Sequence, residues 1–170
     1  MRRKGLIIAF VLGAFSGGAL VLADSDKRDS EFAHKAAAGG MAEVKLSKLA
    51  AEKSDSPEVK TFARKMVADH TAANLELKKL ASQKSMALPT TIDAEHQRTY
   101  DKLVSLSGDD FDKQYMKTMT NDHDDTIKLF KDETQNGKDD DLKQFAIRTL
   151  PIIEKHDNMA RKDDTDLEHR

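Results

Sequence analysis

Apolar positions recur along most of the chain at spacings of three and four, the period of a helix with one buried face. Four long segments carry this pattern. In the first, residues 30–53, the inner stripe is Phe32, Ala36, Gly39, Glu43 and Leu46. The second, residues 57–84, has Val59, Phe62, Met66, His70, Ala73, Leu77 and Leu80. A third starts near Asp109 and stops at Asn136-Gly137, with Met116, Met119, His123, Ile127 and Phe130 on its stripe. The fourth, residues 139–161, shows Leu142, Phe145, Thr149, Ile152, His156 and Met159. A shorter helix fits residues 93–106. The punctuation agrees with this. Ser56 is a good N-cap and Pro57 follows at the first helical position, where its missing N–H costs nothing. Asp139, Asp140 and Asp141 suit the positive end of a helix dipole, and Gly137 suits a helix stop.

Connection lengths then choose the topology. The joins near Asp55 and Lys138 are a few residues long, which makes each flanking pair of long helices an antiparallel hairpin. Between the hairpins, the shorter helix and its loops can span the length of a bundle, at about 1.5 Å per helical residue. The expected fold is all-α: a ferritin-like four-helix bundle with a long crossover, carrying a short helix, between helices 2 and 3. Up-and-down packing with the short helix as a cap is the alternative. Three Pro and eight Gly are too few for the turns of a β-sandwich or barrel, and 170 residues suit one domain.

The start of the chain is set apart. Arg2, Arg3 and Lys4 precede an apolar run from Leu6 to Leu22, which ends in the small-residue stretch Val21-Leu22-Ala23. This reads as a signal peptide over residues 1–23, with an uncleaved anchor as the alternative. Residues 24–29 are then expected to be a short flexible segment, 30–161 the helical domain, and 162–170 a charged, frayed tail. No cysteine follows the run, so a lipoprotein anchor is excluded. The expected location is the periplasm, with outer-membrane association or secretion as alternatives, and no membrane contact after cleavage. Cleavage removes three basic residues and leaves 25 Lys and Arg against 30 Asp and Glu. Both signs are interspersed, without the basic stripe of a nucleic-acid binder. The lack of cysteine also excludes disulfides, thiolate metal sites and cysteine nucleophiles.

Any chemistry must therefore come from histidine, carboxylates and methionine. Each long stripe is interrupted once by an ionisable side chain, at Glu43, His70, His123 and His156. Glu43 lies 12 residues before Asp55 and His70 lies 15 after it. His123 lies 15 before Lys138 and His156 lies 18 after it. In antiparallel hairpins both offsets amount to about 4.5 Å along the axis, so all four groups can meet at one level. Three imidazoles and a carboxylate form a plausible set of ligands for one transition-metal ion.

A repeated five-residue motif adds weight: Met66-Val67-Ala68-Asp69-His70 and Met119-Thr120-Asn121-Asp122-His123. Met66 and Met119 sit one turn before their histidines and offer soft sulfur ligands, which favours copper over zinc. Asp69 and Asp122 are placed to accept a ring N–H, on their own or a neighbouring helix. His34, His96 and His169 are expected to be solvated. The bland alternative is a structural or stress-associated envelope protein whose histidines are hydrogen-bonded core residues. Gly39-Gly40 permits a close approach or marks a break, and Pro151 is expected to kink the fourth helix.

A family resemblance rests on longer stretches. Residues 36–50 (AAAGGMAEVKLSKLA), Ser56-Pro57-Glu58-Val59-Lys60, Met66 to Thr71 and Thr149-Leu150-Pro151 resemble a bacterial exported domain family of unknown function. That family is often labelled "predicted outer membrane protein" and is considered ferritin-like. The resemblance implies a four-helix bundle in the envelope and no established activity. A β-barrel is excluded, because no alternating ten-residue strands occur. Di-iron ferritins need Glu on two helices and Glu-x-x-His on the other two. Glu154-Lys155-His156 has the wrong spacing for that pattern, so ferroxidase activity is not expected. If the leader is cleaved as read, mass spectrometry of the native protein finds an N-terminus at Asp24. A full-length chain held in the inner membrane contradicts the reading.

Overall fold

The computed structural model describes residues 18–169, all of whose regular structure is helical. Five helices follow in order: α1 Gly18–Lys53, α2 Pro57–Gln83, α3 Ala94–Ser105, α4 Gly108–Asn136 and α5 Asp140–Glu168. Most of the expected signal peptide lies outside the described residues. No helix among those described is long and apolar enough to cross a membrane.

The helix starts follow from local chemistry. The Ser56 hydroxyl accepts from Val59 N–H, and Pro57 is the first helical residue of α2. Asp93 accepts from the N–H groups of Glu95 and His96 to open α3. Asp139 does the same for Asp141 and Leu142 at the start of α5. Each interaction satisfies an N–H that lacks a partner inside its helix. Between α3 and α4 the chain turns through Gly108 at φ +56°, a conformation that favours glycine.

Cross-helix pairs fix the directions. Glu43 meets His70, and a Cβ on Gly40 would collide with the Asn74 side chain, so α1 and α2 are antiparallel and closely approached. Gly40 thus permits a close approach, and α1 runs through both glycines without a break. In α4 and α5, Asp124 pairs with Arg161 and Lys131 with Glu154, again antiparallel. Ser47–Tyr115 and Arg28–Asp132 run α1 against α4. Glu76–Arg148 and Lys84–Asp141 run α2 against α5. Each long helix thus packs on two others, and α3 lies against α1 and α4.

The core consists of two apolar clusters. One is built from Leu46, Phe62, Met66, Phe111, Tyr115, Met116 and Met119 with their neighbours. The other gathers around Phe32, Phe130 and Phe145, whose rings meet at centroid distances of 5.1 to 6.4 Å. Along every long helix, the ionisable residue of the stripe falls between the stretch that feeds one cluster and the stretch that feeds the other. The polar level is therefore enclosed by apolar layers above and below.

Three expectations need correction. Residues 24–29, expected to lie outside the helices, belong to α1; buried Asp29 accepts from the backbone N–H groups of Lys138 and Asp139 at 3.0 and 2.7 Å. The tail does not fray at residue 162, because α5 continues and Leu167 is buried in the first cluster. On α5 the inward residue is Ile153, while Ile152 is exposed. α5 also continues through Pro151. The carbonyl that Pro151 leaves without a donor belongs to Ile147, which is exposed, so water can satisfy it.

Asp29 ties the start of α1 to the α4–α5 turn through two charge-assisted bonds. Asp29→Ala is expected to lower stability by about 2 kcal/mol. Lys128→Ala, at an exposed ion pair, should change it by less than about 0.5 kcal/mol. Urea unfolding at neutral pH measures both.

Candidate metal centre

The ionisable residues of the four stripes come together. Glu43 on α1, His70 on α2, His123 on α4 and His156 on α5 are all buried, with His123 fully so. The imidazole centroids form a near-equilateral triangle, at 5.8 Å (His70–His123), 5.2 Å (His70–His156) and 5.7 Å (His123–His156). One ring nitrogen from each histidine lies within 4.8 Å of the other two.

Each ring is anchored by its remaining nitrogen. His70 Nδ1 lies 2.8 Å from Glu43 Oε2. His123 Nδ1 lies 2.7 Å from the Met119 carbonyl oxygen. His156 Nε2 lies 2.7 Å from Asp69 Oδ2. A carbonyl or carboxylate oxygen only accepts, so each of these nitrogens carries the hydrogen and donates it. The tautomers follow from this. In the neutral rings the lone pairs sit on His70 Nε2, His123 Nε2 and His156 Nδ1. These are the three imidazole nitrogens that are buried without a hydrogen-bond partner.

Electrostatics divides the rings. Burial acts to raise the Glu43 carboxyl, but His70, and then His123 and His156, outweigh it and hold the group down to about 2. His70 is raised, because the Glu43 carboxylate overcomes the burial that disfavours its cation. Burial, reinforced by His70 and His123, lowers His156 to about 4 against the pull of Asp69. Near neutral pH the level therefore holds a Glu43 carboxylate and a neutral His156, with the His70 cation favoured more than that of a free imidazole. A metal cation bound at His70 Nε2 would compete with a proton there.

The expected site residues take different parts. Glu43 holds His70 through one oxygen, so it orients a ring in addition to any role as a ligand. Asp69 accepts from His156 on a neighbouring helix, and its Oδ2 also accepts from Lys65 at 2.7 Å. Asp122, its counterpart in the repeated motif, holds no imidazole: its Oδ2 is buried without a partner. Burial, with the nearby Glu43 charge, pushes Asp122 up to about 7. Met66 and Met119 lie in the apolar cluster with Phe62 and Tyr115, and Met119 meets the histidines through its carbonyl.

Sequence reasoning missed that carbonyl, Lys65 and the surroundings of Asp122. A cleft of about 430 Å³ opens there between α1, α3 and α4, with Glu43 and Asp122 among its lining. His96 also lines the cleft and is held at 2.7 Å by Asp93, so it is not simply solvated. These contacts depend on how α3 docks, which no local pattern reveals.

Comparison with known proteins gives the family and the fold. The sequence pattern of a domain of unknown function, DUF4142, matches residues 20–162. The crystal structure of a DUF305 fragment from Deinococcus radiodurans is similar, with a TM-score of 0.71 at 12% identity, over 84% of this chain and 97% of that one. At that identity the likeness concerns the fold alone. None of the curated proteins matches the chain.

Two measurements check the electrostatics. In ¹⁵N NMR titrations, His156 should remain neutral, with its proton on Nε2, down to about pH 4. Its folded value lies below the unfolded one, so its contribution to stability is complete above about 6.5 and lost as pH falls towards 4. Asp122 acts in the opposite sense, with a folded value raised above the unfolded one. Its contribution is complete below about 3.9 and lost as pH rises towards 7. Asp122→Asn should therefore gain stability relative to the wild type between pH 5 and 8 in urea unfolding.

Proposed function

The chain belongs to the DUF4142 family of domains of unknown function, and for this member we propose a metal-binding role, with one transition-metal ion held by His70 Nε2, His123 Nε2 and His156 Nδ1. The observation that carries the reading is that three buried nitrogens lack partners while the opposite nitrogen of each ring is donated to a fixed acceptor. A purely structural core histidine gains nothing from a bare, desolvated lone pair facing two others. Metal-binding histidines, by contrast, regularly donate their second N–H to a carboxylate or carbonyl, which fixes the tautomer and makes the ligating nitrogen more basic.

Three imidazoles suit zinc and copper, while magnesium and calcium prefer oxygen cages. The case for copper(I) rested on thioether ligands. With Met66 and Met119 in the apolar cluster, zinc or copper(II) is the better match. Glu43, through its free oxygen, or a water can complete four-coordination. Three facing imidazoles suit one ion, so the reading is of binding or buffering a transition metal. In this reading the four long helices form a ferritin-like bundle, with α3 in the crossover from α2 to α4. The protein works in the periplasm once residues 1–23 are removed, a location supported by the basic start, apolar run and small residues before Asp24.

Isothermal titration with Zn(II) and Cu(II) tests this. One ion per chain is expected, with weaker binding as pH falls, because the ligating imidazoles must be neutral. His70→Ala, His123→Ala and His156→Ala should each remove stoichiometric binding. Asp69→Asn and Glu43→Gln should weaken it by about 10- to 100-fold, while His34→Ala and Met66→Leu leave it unchanged. If no saturable site is found, the histidines form a hydrogen-bonded core layer of a structural protein.

A further inference from the structure

The two sides of the histidine level differ in a way that bears on how an ion reaches it. On the α2/α5 side, Asp69 is fully engaged, with one oxygen shared by His156 and Lys65. The Lys65 ammonium there opposes the approach of a cation. On the α1/α4 side, the corresponding residue of the repeated motif, Asp122, leaves Oδ2 buried without a hydrogen-bond partner, and Glu43 Oε1 also lacks one, with His123 Nδ1 at 3.6 Å. Glu43 is 2% exposed, yet it lines the floor of the cleft between α1, α3 and α4. Asp93, Glu95 and Asp125 line the same cleft. Its basic members are already engaged: Lys35 pairs with Glu31, and His96 with Asp93. Gly39 also lines the cleft, and a Cβ at that position would meet nothing within 4 Å.

We propose that this cleft is the port through which a divalent cation reaches the histidines, with Asp122 Oδ2 and Glu43 Oε1 as the carboxylate oxygens that take the ion from water and pass it inward. The inference rests on the metal-binding reading above. Two desolvated oxygens without donors are costly to keep unless something positive visits them. A concave, acidic wall concentrates cations at its floor. Glu43 connects the two places physically: it lines the cleft, its Oε2 is on His70, and its Oε1, without a hydrogen-bond donor, lies 3.6 Å from His123 Nδ1.

Stopped-flow loading of the full-length protein with Zn(II), followed by a chromophoric chelator, separates rate from affinity. Three variants probe the port: Asp122→Asn at its floor, Gly39→Leu to fill it, and the pair Asp93→Asn with Asp125→Asn to weaken its field. Asn retains the N-cap of α3, so the double variant keeps its fold. Each should slow loading by about tenfold or more, with equilibrium affinity within about threefold of the wild type. Wild-type loading should also slow as salt rises, and the double variant should lose most of that dependence. If all three load at the wild-type rate, the port is refuted and the histidine site stands. If Asp122→Asn loses as much equilibrium affinity as His123→Ala, Asp122 is a permanent ligand and the proposed relay is wrong. If the wild-type protein takes up no zinc, both readings fail.

Discussion

A buried imidazole has two nitrogens to satisfy, and at the middle level of this protein only one of each pair meets a protein acceptor. That constraint organises the rest of the structure. Glu43, the Met119 carbonyl and Asp69 each fix one ring and its tautomer. Apolar layers on either side, one around Phe62 and Tyr115 and one around Phe32, Phe130 and Phe145, keep water from reaching the remaining nitrogens along the helix axes. The Glu43 carboxylate raises His70 against the burial that disfavours its cation, and burial, reinforced by His70 and His123, keeps His156 neutral. In the neutral rings, tautomer and packing leave the same three lone pairs directed into one enclosed space.

The repeated motif shows how one local sequence serves two ends. In both copies histidine points inward and the preceding aspartate points sideways, as about 100° per residue requires. What the aspartate meets depends on the neighbouring helix. Asp69 faces α5 and finds His156, while Asp122 faces α1, where the ionisable residue is the carboxylate of Glu43. Asp122 Oδ2 finds no donor there and is desolvated beside a like charge. One flank is closed by Lys65, and the other carries carboxylate oxygens without hydrogen-bond donors, on residues that line an acidic cleft.

Much of this was legible in the sequence because it depends on periodicity and turn chemistry. The stripes placed Glu43, His70, His123 and His156 inward, and distance from the two turns placed them at one level. Ser56-Pro57 and Asp139 marked helix starts for reasons confined to a few residues. What escaped depends on long-range packing. The place of Asp29 was not legible because it caps a turn more than a hundred positions away. The charged tail hid Leu167, whose burial depends on the first core cluster. Ile152 and Ile153 could not be told apart by a stripe that tolerates steps of three or four. The methionines suggested sulfur ligands because they share a face with the histidines, but that face is continuous with the apolar core. The cleft required the docking of α3, which its own amphipathic pattern does not specify.

X-ray absorption at the zinc edge of the loaded protein tests the central claim most directly, because it counts the atoms around the ion. The expected spectrum shows three imidazole nitrogens, with their outer-ring scattering, and one further oxygen, all at about 2.0–2.1 Å. A sulfur at about 2.3 Å, or an all-oxygen shell without imidazole scattering, would show that the ion sits elsewhere and that the three facing nitrogens are not its site.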